Sequence, residues 1–188
     1  MYKRPVFNDQ ALILKPVIFK LIHFNSERTR RLTAVLVPER GNVTSWSDKY
    51  LYYARGYVTR TSRKSPYYIN VEGKTKHTWG NNVTAHLIFY EYLHNEYRRT
   101  FIEAHLRGCD VVNKDPFIGQ LLRDRGYSCP HPPADFHLLN ITVPMDAFRY
   151  TIPFEKFRVE AELTHTDTKE SIAKAYGYAS LKPKYTDN

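Results

Sequence analysis

The second half of the chain alternates between apolar and polar positions with a period of two. In Phe154–Thr164, Phe157, Val159, Ala161 and Leu163 point one way, while Lys156, Arg158, Glu160, Glu162 and Thr164 point the other. Side chains on a strand lie on opposite faces in turn, so this run predicts a half-buried strand. Ser171–Leu181 alternates small residues (Ala173, Ala175, Gly177, Ala179) against Lys174, Tyr176, Tyr178 and Ser180, and predicts a strand that lets something come close. Val83–Leu93 is the most aromatic strand, with Leu87, Phe89 and Leu93 on one face and Ile88, Tyr90 and Tyr92 on the other. His94-Asn-Glu96 is a short polar turn, and Tyr97–Arg107 returns with Thr100, Ile102, Ala104 and Leu106 sharing a face, which predicts a hairpin. Further strands are expected at Leu32–Val37, ended by Pro38, at Tyr50–Arg60 with a bulge at Gly56, at Tyr67–Val71, and at Phe136–Met145. Pro183 is expected to close the domain.

One stretch breaks the alternation. Between Cys109 and Cys129, Phe117, Ile118, Leu121 and Leu122 recur at helical spacing. Asp115 is placed to cap the helix, Pro116 suits its first position, and Gly126 suits a left-handed stop. Seven or eight strands at hairpin spacing with one short helix between the cysteines predict an all-β protein, an antiparallel β-sandwich of immunoglobulin type. Residues 1–45 form a poorly defined N-terminal segment, 46–183 the sandwich domain, and 184–188 a tail.

Composition narrows the function. With 42% hydrophobic residues the chain can bury a core, and 15 Tyr and 10 Phe favour strands and an interior lined by rings. The formal net charge is +9. The cations are spread along the chain, apart from a small cluster at Arg28, Arg30 and Arg31, and no basic stripe is interleaved with aromatics. Nucleic acid is therefore not the expected partner. No Gly-rich phosphate loop, HExxH or GxSxG occurs, so no catalytic residue is assigned and no cofactor is expected. The eight histidines have no metal-ligand spacing, and Cys129-Pro-His131 is locked by prolines with no second pair, which argues against a metal site. A cysteine–histidine nucleophile pair assembled in space is the remaining enzymatic alternative. Glu103, Glu160 and Glu162 read as solvent-facing carboxylates.

The two cysteines admit two readings: reduced core residues of an intracellular protein, or a disulfide staple formed in an oxidising compartment. A staple would close a loop of about 20 residues, worth on the order of 3 kcal/mol in the chain-entropy account. Three sequons, at Asn42, Asn82 and Asn140, lean towards secretion as glycosylation candidates. Leu12–Ile22 is apolar but interrupted by Lys15, Pro16 and Lys20, and makes a poor signal peptide.

Several of these features together carry a likeness: Tyr68 and Val71 before a Gly turn, the aromatic strand, Cys109-Asp-Val-Val, the Phe117–Leu122 helix, Tyr127-Ser-Cys129-Pro130, and Phe154–Leu163 followed by Tyr176-Gly-Tyr178. Over about residues 46–183 the chain resembles the insect ganglioside-activator-like, ML-type lipid-recognition proteins, a group that includes small secreted chemosensory members. Relatives usually carry more cysteines and a signal peptide. The resemblance implies a secreted sandwich whose sheets splay around an apolar cavity, a lipid or other hydrophobic small molecule as ligand, no catalysis, and a Cys109–Cys129 disulfide. Leu87, Phe89, Ile102, Phe157, Val159 and Leu163 are the candidates for cavity or core. The alternative is a pocketless interaction module that uses Tyr-rich faces and positive charge to meet an acidic protein partner, a receptor or a membrane surface.

Overall fold

The computed structural model describes residues 32–116, 118–143 and 153–185. The N-terminal run up to residue 31, Phe117, Met145 and the last three residues, on which expectations were placed above, lie outside these. Among the described residues, eight strands form two antiparallel sheets. In chain order they are β1 (Leu32–Trp46), β2 (Leu51–Arg60), β3 (Tyr67–Thr75), β4 (Val83–Leu93), β5 (Glu96–Arg107), β6 (Asp135–Ile141), β7 (Lys156–His165) and β8 (Ser171–Tyr185). The large sheet runs β1-β8-β7-β4-β5 and the small one β2-β3-β6. Together they make an all-β sandwich.

The central hairpin follows its sequence closely. Leu93 pairs with Glu96, so His94 and Asn95 form a two-residue loop, and both have positive φ (51° and 66°). That backbone matches the twist of the flanking strands, and Asn tolerates the left-handed region better than most residues. β7 and β8 extend this hairpin into a continuous surface. Across it, Ala85 faces Leu163, Leu87 faces Ala161, and Phe89 faces Val159; Leu163, Ala161, Val159 and Phe157 in turn face Ala173, Ala175, Gly177 and Ala179.

Two prolines fall inside strands where the sequence suggested ends. β1 continues through Pro38 with a register shift between Pro38 and Arg40. It lies at the sheet edge, where a missing N–H costs no ladder bond. β8 continues past Pro183, which pairs only with β1 because β7 has already ended opposite Ser180. β1 pairs with β8 along its whole length and so carries the sandwich back to residue 32, ahead of the boundary expected at 46. The bulge expected at Gly56 lies instead between Leu51 and Tyr53.

Between the cysteines the chain forms two short helices rather than one, α1 (Gly108–Lys114) and α2 (Ile118–Arg123). α2 is the helix its capping residues predict. The Ile118 N–H donates to Asp115 Oδ1 at 2.6 Å, and Gly126 sits at φ 76° just past the last turn. α1 was not anticipated, because its Val111-Val112 pair reads as strand. It forms by packing on α2, where Gly119 brings the helices close enough that a Cβ would lie 2.3 Å from the Val111 carbonyl oxygen.

Candidate functional site

The space between the sheets is the candidate site. On the large sheet, β4, β5, β7 and β8 turn Leu87, Phe89, Ile102, Ala104, Val159, Ala161, Ala175 and Gly177 to the inside by their register. On the small sheet, Ala54, Gly56, Val58, Ile69, Val71 and Leu138 face back by the same alternation. Both walls are apolar.

Packing is concentrated at the two ends of this space. At one end Tyr50 and Leu51 of the small-sheet side meet Val83, Ile172 and Ala173 of the large sheet, with Trp79, Phe136 and Leu163 packed around them. At the other end Phe154, Phe157 and Ala179 are buried, with Phe89, Ile102, Val159, Leu36 and Leu181 packed against them. This second cluster is built wholly from the large sheet and the Phe154 segment. Between the clusters Leu87, Ala104, Ala161, Ala175 and Gly177 are only half-buried. A Cβ built on Gly177 would have no described atom within 4 Å. On the opposite wall Gly56 approaches β1, where a Cβ would meet Val43 at 3.4 Å, so the sheets touch along that side.

The six candidate residues are thus brought to one face but divided by role. Phe157 is core, with 3% of its surface exposed. Phe89, Ile102 and Val159 pack against it, and Leu163 packs against the other cluster. Leu87 belongs to neither cluster and lines the gap.

Cys109 and Cys129 form a disulfide with a Cα–Cα distance of 5.2 Å. Cys129 is therefore neither a nucleophile nor a metal ligand. The bond joins the start of α1, just past β5, to the loop that enters β6. It lies at the packed Trp79–Phe136 end, where Gly80 would place a Cβ 3.5 Å from Cys109 Sγ. His131 pairs with Trp79 through two backbone hydrogen bonds, and its ring stacks on Tyr127 at 4.1 Å. Burial pushes the Tyr127 phenol up to about 12 and the His131 imidazole down. Just past α2, Arg125 donates to the Leu139 and Asn140 carbonyls of β6 at 3.3 Å each.

At the same end, Lys49 Nζ lies 2.6 Å from Glu170 Oε2, and the Tyr50 hydroxyl donates to the same oxygen. These two bonds, Lys49 first, hold the Glu170 carboxyl below its usual range. A hollow of about 400 Å³ lies beside them, lined by Tyr50, His77, Trp79, Val83, His165 and Ile172. No nucleophile and base are paired in it.

The outer face of the large sheet is a lattice of rings and charges. Arg158 lies 4.2 Å from the Tyr90 ring centre, Arg40 4.2 Å from that of Tyr178, and Tyr97 packs edge-on to Tyr178 at 4.9 Å. It explains why the Ile88, Tyr90 and Tyr92 face is covered without a partner sheet. Glu103, Glu160 and Glu162 lie on it, as their alternation predicts. On the same face His86, Glu103 and His105 come together, with one donor atom of each within 4.8 Å of the others. Spacing along the chain could not show this grouping. The hairpin loop alone would put position 86 opposite 103; the register shift between Ile88 and Tyr90 moves the pairing by two and sets His86 opposite His105.

The three sequon asparagines, Asn42, Asn82 and Asn140, are exposed. Asn82 is engaged in its turn, donating to the Thr78 carbonyl at 3.2 Å and accepting from the Gly80 N–H at 2.7 Å. No known protein family matches the chain, and no curated protein shows significant similarity to it.

Proposed function

We propose that the protein is a secreted, non-enzymatic binder of a lipid or other hydrophobic small molecule, held between the two sheets. The observation that carries this reading is the apolar space over Gly177, between half-buried walls and two packed ends. Apolar surface left partly open inside a fold is stabilised by an apolar guest. Each methylene moved out of water contributes about 0.8 kcal/mol, so ten contribute roughly 8 kcal/mol before the cost of ordering the guest. The disulfide supports an oxidising compartment, and the exposed sequons suit glycosylation there. The resemblance to the ML-type group supports the same ligand class and extends it to chemosensation. Native mass spectrometry of the full chain secreted from insect cells tests the proposal. A lipid-sized mass retained at one equivalent is expected, and it should be displaced by a fluorescent fatty acid. A bare polypeptide that takes up no fatty acid would refute it.

A second reading has its own observation. On the outer face of the small sheet Tyr52 is 60% exposed, with Lys76 Nζ 4.6 Å and Lys74 Nζ 5.7 Å from its ring centre. A ring flanked by cations suits an anionic membrane surface or an acidic partner. Sedimentation with phosphatidylserine vesicles distinguishes the readings. Binding that falls steeply with salt and is lost in Tyr52→Ala supports the surface, and fatty-acid uptake untouched by Tyr52→Ala supports the cleft.

A further inference from the structure

On the outer face of the central hairpin, β4 and β5 place His86 and His105 in direct register, with ring centres 4.1 Å apart and planes 14° from parallel. Glu103 projects from the same face of β5, with its Oε2 3.6 Å from His86 Nε2. That nitrogen is buried and makes no hydrogen bond among the described residues. A buried polar atom without a partner is uncommon and costs free energy. The Glu103 carboxylate stands beside it, beyond hydrogen-bond distance.

We propose that His86, Glu103 and His105 bind a divalent transition-metal ion of the zinc type through two imidazole nitrogens and one carboxylate oxygen, with water completing the shell. Two imidazoles select zinc, nickel or copper over magnesium and calcium, which take oxygen ligands. The in-plane lone pairs of two nearly parallel rings do not meet on one ion, so binding requires the exposed His105 ring to turn out of the stack. A tetrahedral ion with bonds near 2.1 Å holds its ligands about 3.4 Å apart. Glu103 and His105 are exposed and can rotate to close that gap, while half-buried His86 supplies a fixed anchor. Two neighbours set the local charge. Glu162 lies opposite His86 on β7, with its carboxylate 3.3 Å from Lys174 Nζ. Arg99 Nη2 holds Glu103 at 3.1 Å and competes with the ion for it. This competition predicts a gain of affinity when Arg99 is removed, which a histidine pair with a purely structural role does not.

The test is calorimetric titration of the chelator-treated full chain with zinc chloride and, separately, magnesium chloride. Circular dichroism checks the fold of each variant, and cobalt substitution reports the ligand field. One equivalent of zinc and no magnesium should bind. His105→Ala, on an exposed edge-strand position, should weaken zinc by roughly tenfold or more, since even indirect supports of a metal ligand are worth that much. Glu103→Gln should weaken it in the same direction, and Arg99→Ala should strengthen it several-fold. Zinc uptake that is absent, or equal in the wild type and His105→Ala, would overturn the proposal.

Discussion

Replacing Gly177 by Ile separates an open cleft from a solid core. Gly177 lies mid-strand between Gly41 and Val159, and its φ is not positive, so a β-branched residue meets no backbone conflict. In a packed interior, four added carbons would force off-rotamer side chains at a cost of about 1–3 kcal/mol. Here no described atom lies within 4 Å of the new Cβ. Glycine in a strand interior is itself unfavourable by about 0.5–1 kcal/mol. The substitution should therefore leave stability unchanged or raise it by up to about 1 kcal/mol. Its four carbons occupy the space proposed for the ligand, at about 0.8 kcal/mol per displaced methylene contact. The loss of about 3 kcal/mol corresponds to a dissociation constant raised roughly 200-fold. Urea unfolding measures the first quantity and fluorescent fatty-acid titration the second. A variant destabilised by more than about 2 kcal/mol would mean the space is filled. A variant of wild-type stability and unchanged affinity would mean the ligand does not sit there.

Other positions report on the same division of the interior. Phe157→Ala should cost about 3–5 kcal/mol in urea unfolding, because the ring is buried among Phe89, Ile102 and Val159, whereas Leu87→Ala should cost about 2 kcal/mol or less. Equal costs would refute the assignment of Leu87 to the gap. Paired Cys109→Ser and Cys129→Ser substitution should lower unfolding free energy by about 3 kcal/mol, from a loop of 20 residues, with reduction of the wild type giving the same loss. Glu170 titrates lower in the folded chain than its ordinary 4.5, so its contribution is present above that pH and is lost as pH falls through the depressed value. The acid limb of stability against pH should accordingly be shallower in Glu170→Gln, and an unaltered limb would show that the Lys49 and Tyr50 contacts do not favour the ionised form.

Much of the fold was legible because the pleat writes itself into the sequence. Phe157, Val159 and Leu163 share the inner face as their alternation requires, and the Ala173–Ala179 series lies opposite them. Asp115 and Gly126 marked the ends of α2. Other features depended on partners distant in the chain. The continuation of β1 through Pro38 and of β8 past Pro183 follows from which ladder each proline faces, and neither residue carries that information alone. α1 exists because α2 and its Gly119 cover it. The division of the interior was not legible either. Phe157 and Leu87 look alike as apolar strand residues, and only the packing of the Phe154 segment and neighbouring strands around Phe157 separates core from gap. The approach of His86 to His105 needed the register shift between Ile88 and Tyr90, since the two-residue loop alone would set His86 opposite Glu103.

The link between Cys109 and Cys129 stands beside the packed Trp79–Phe136 end, where the sheets already touch. A bond placed there holds that end and, on the proposed function, would serve as the pivot for opening at the other. β4 runs 11 residues away from it, from Val83 to Leu93, or about 36 Å at strand rise. A rotation of about 5° at the pivot moves the far tip by about 3 Å over that length. On the proposed function, the girth of a guest between the sheets would register most strongly at the Leu93 end of β4, the end of that strand away from the disulfide.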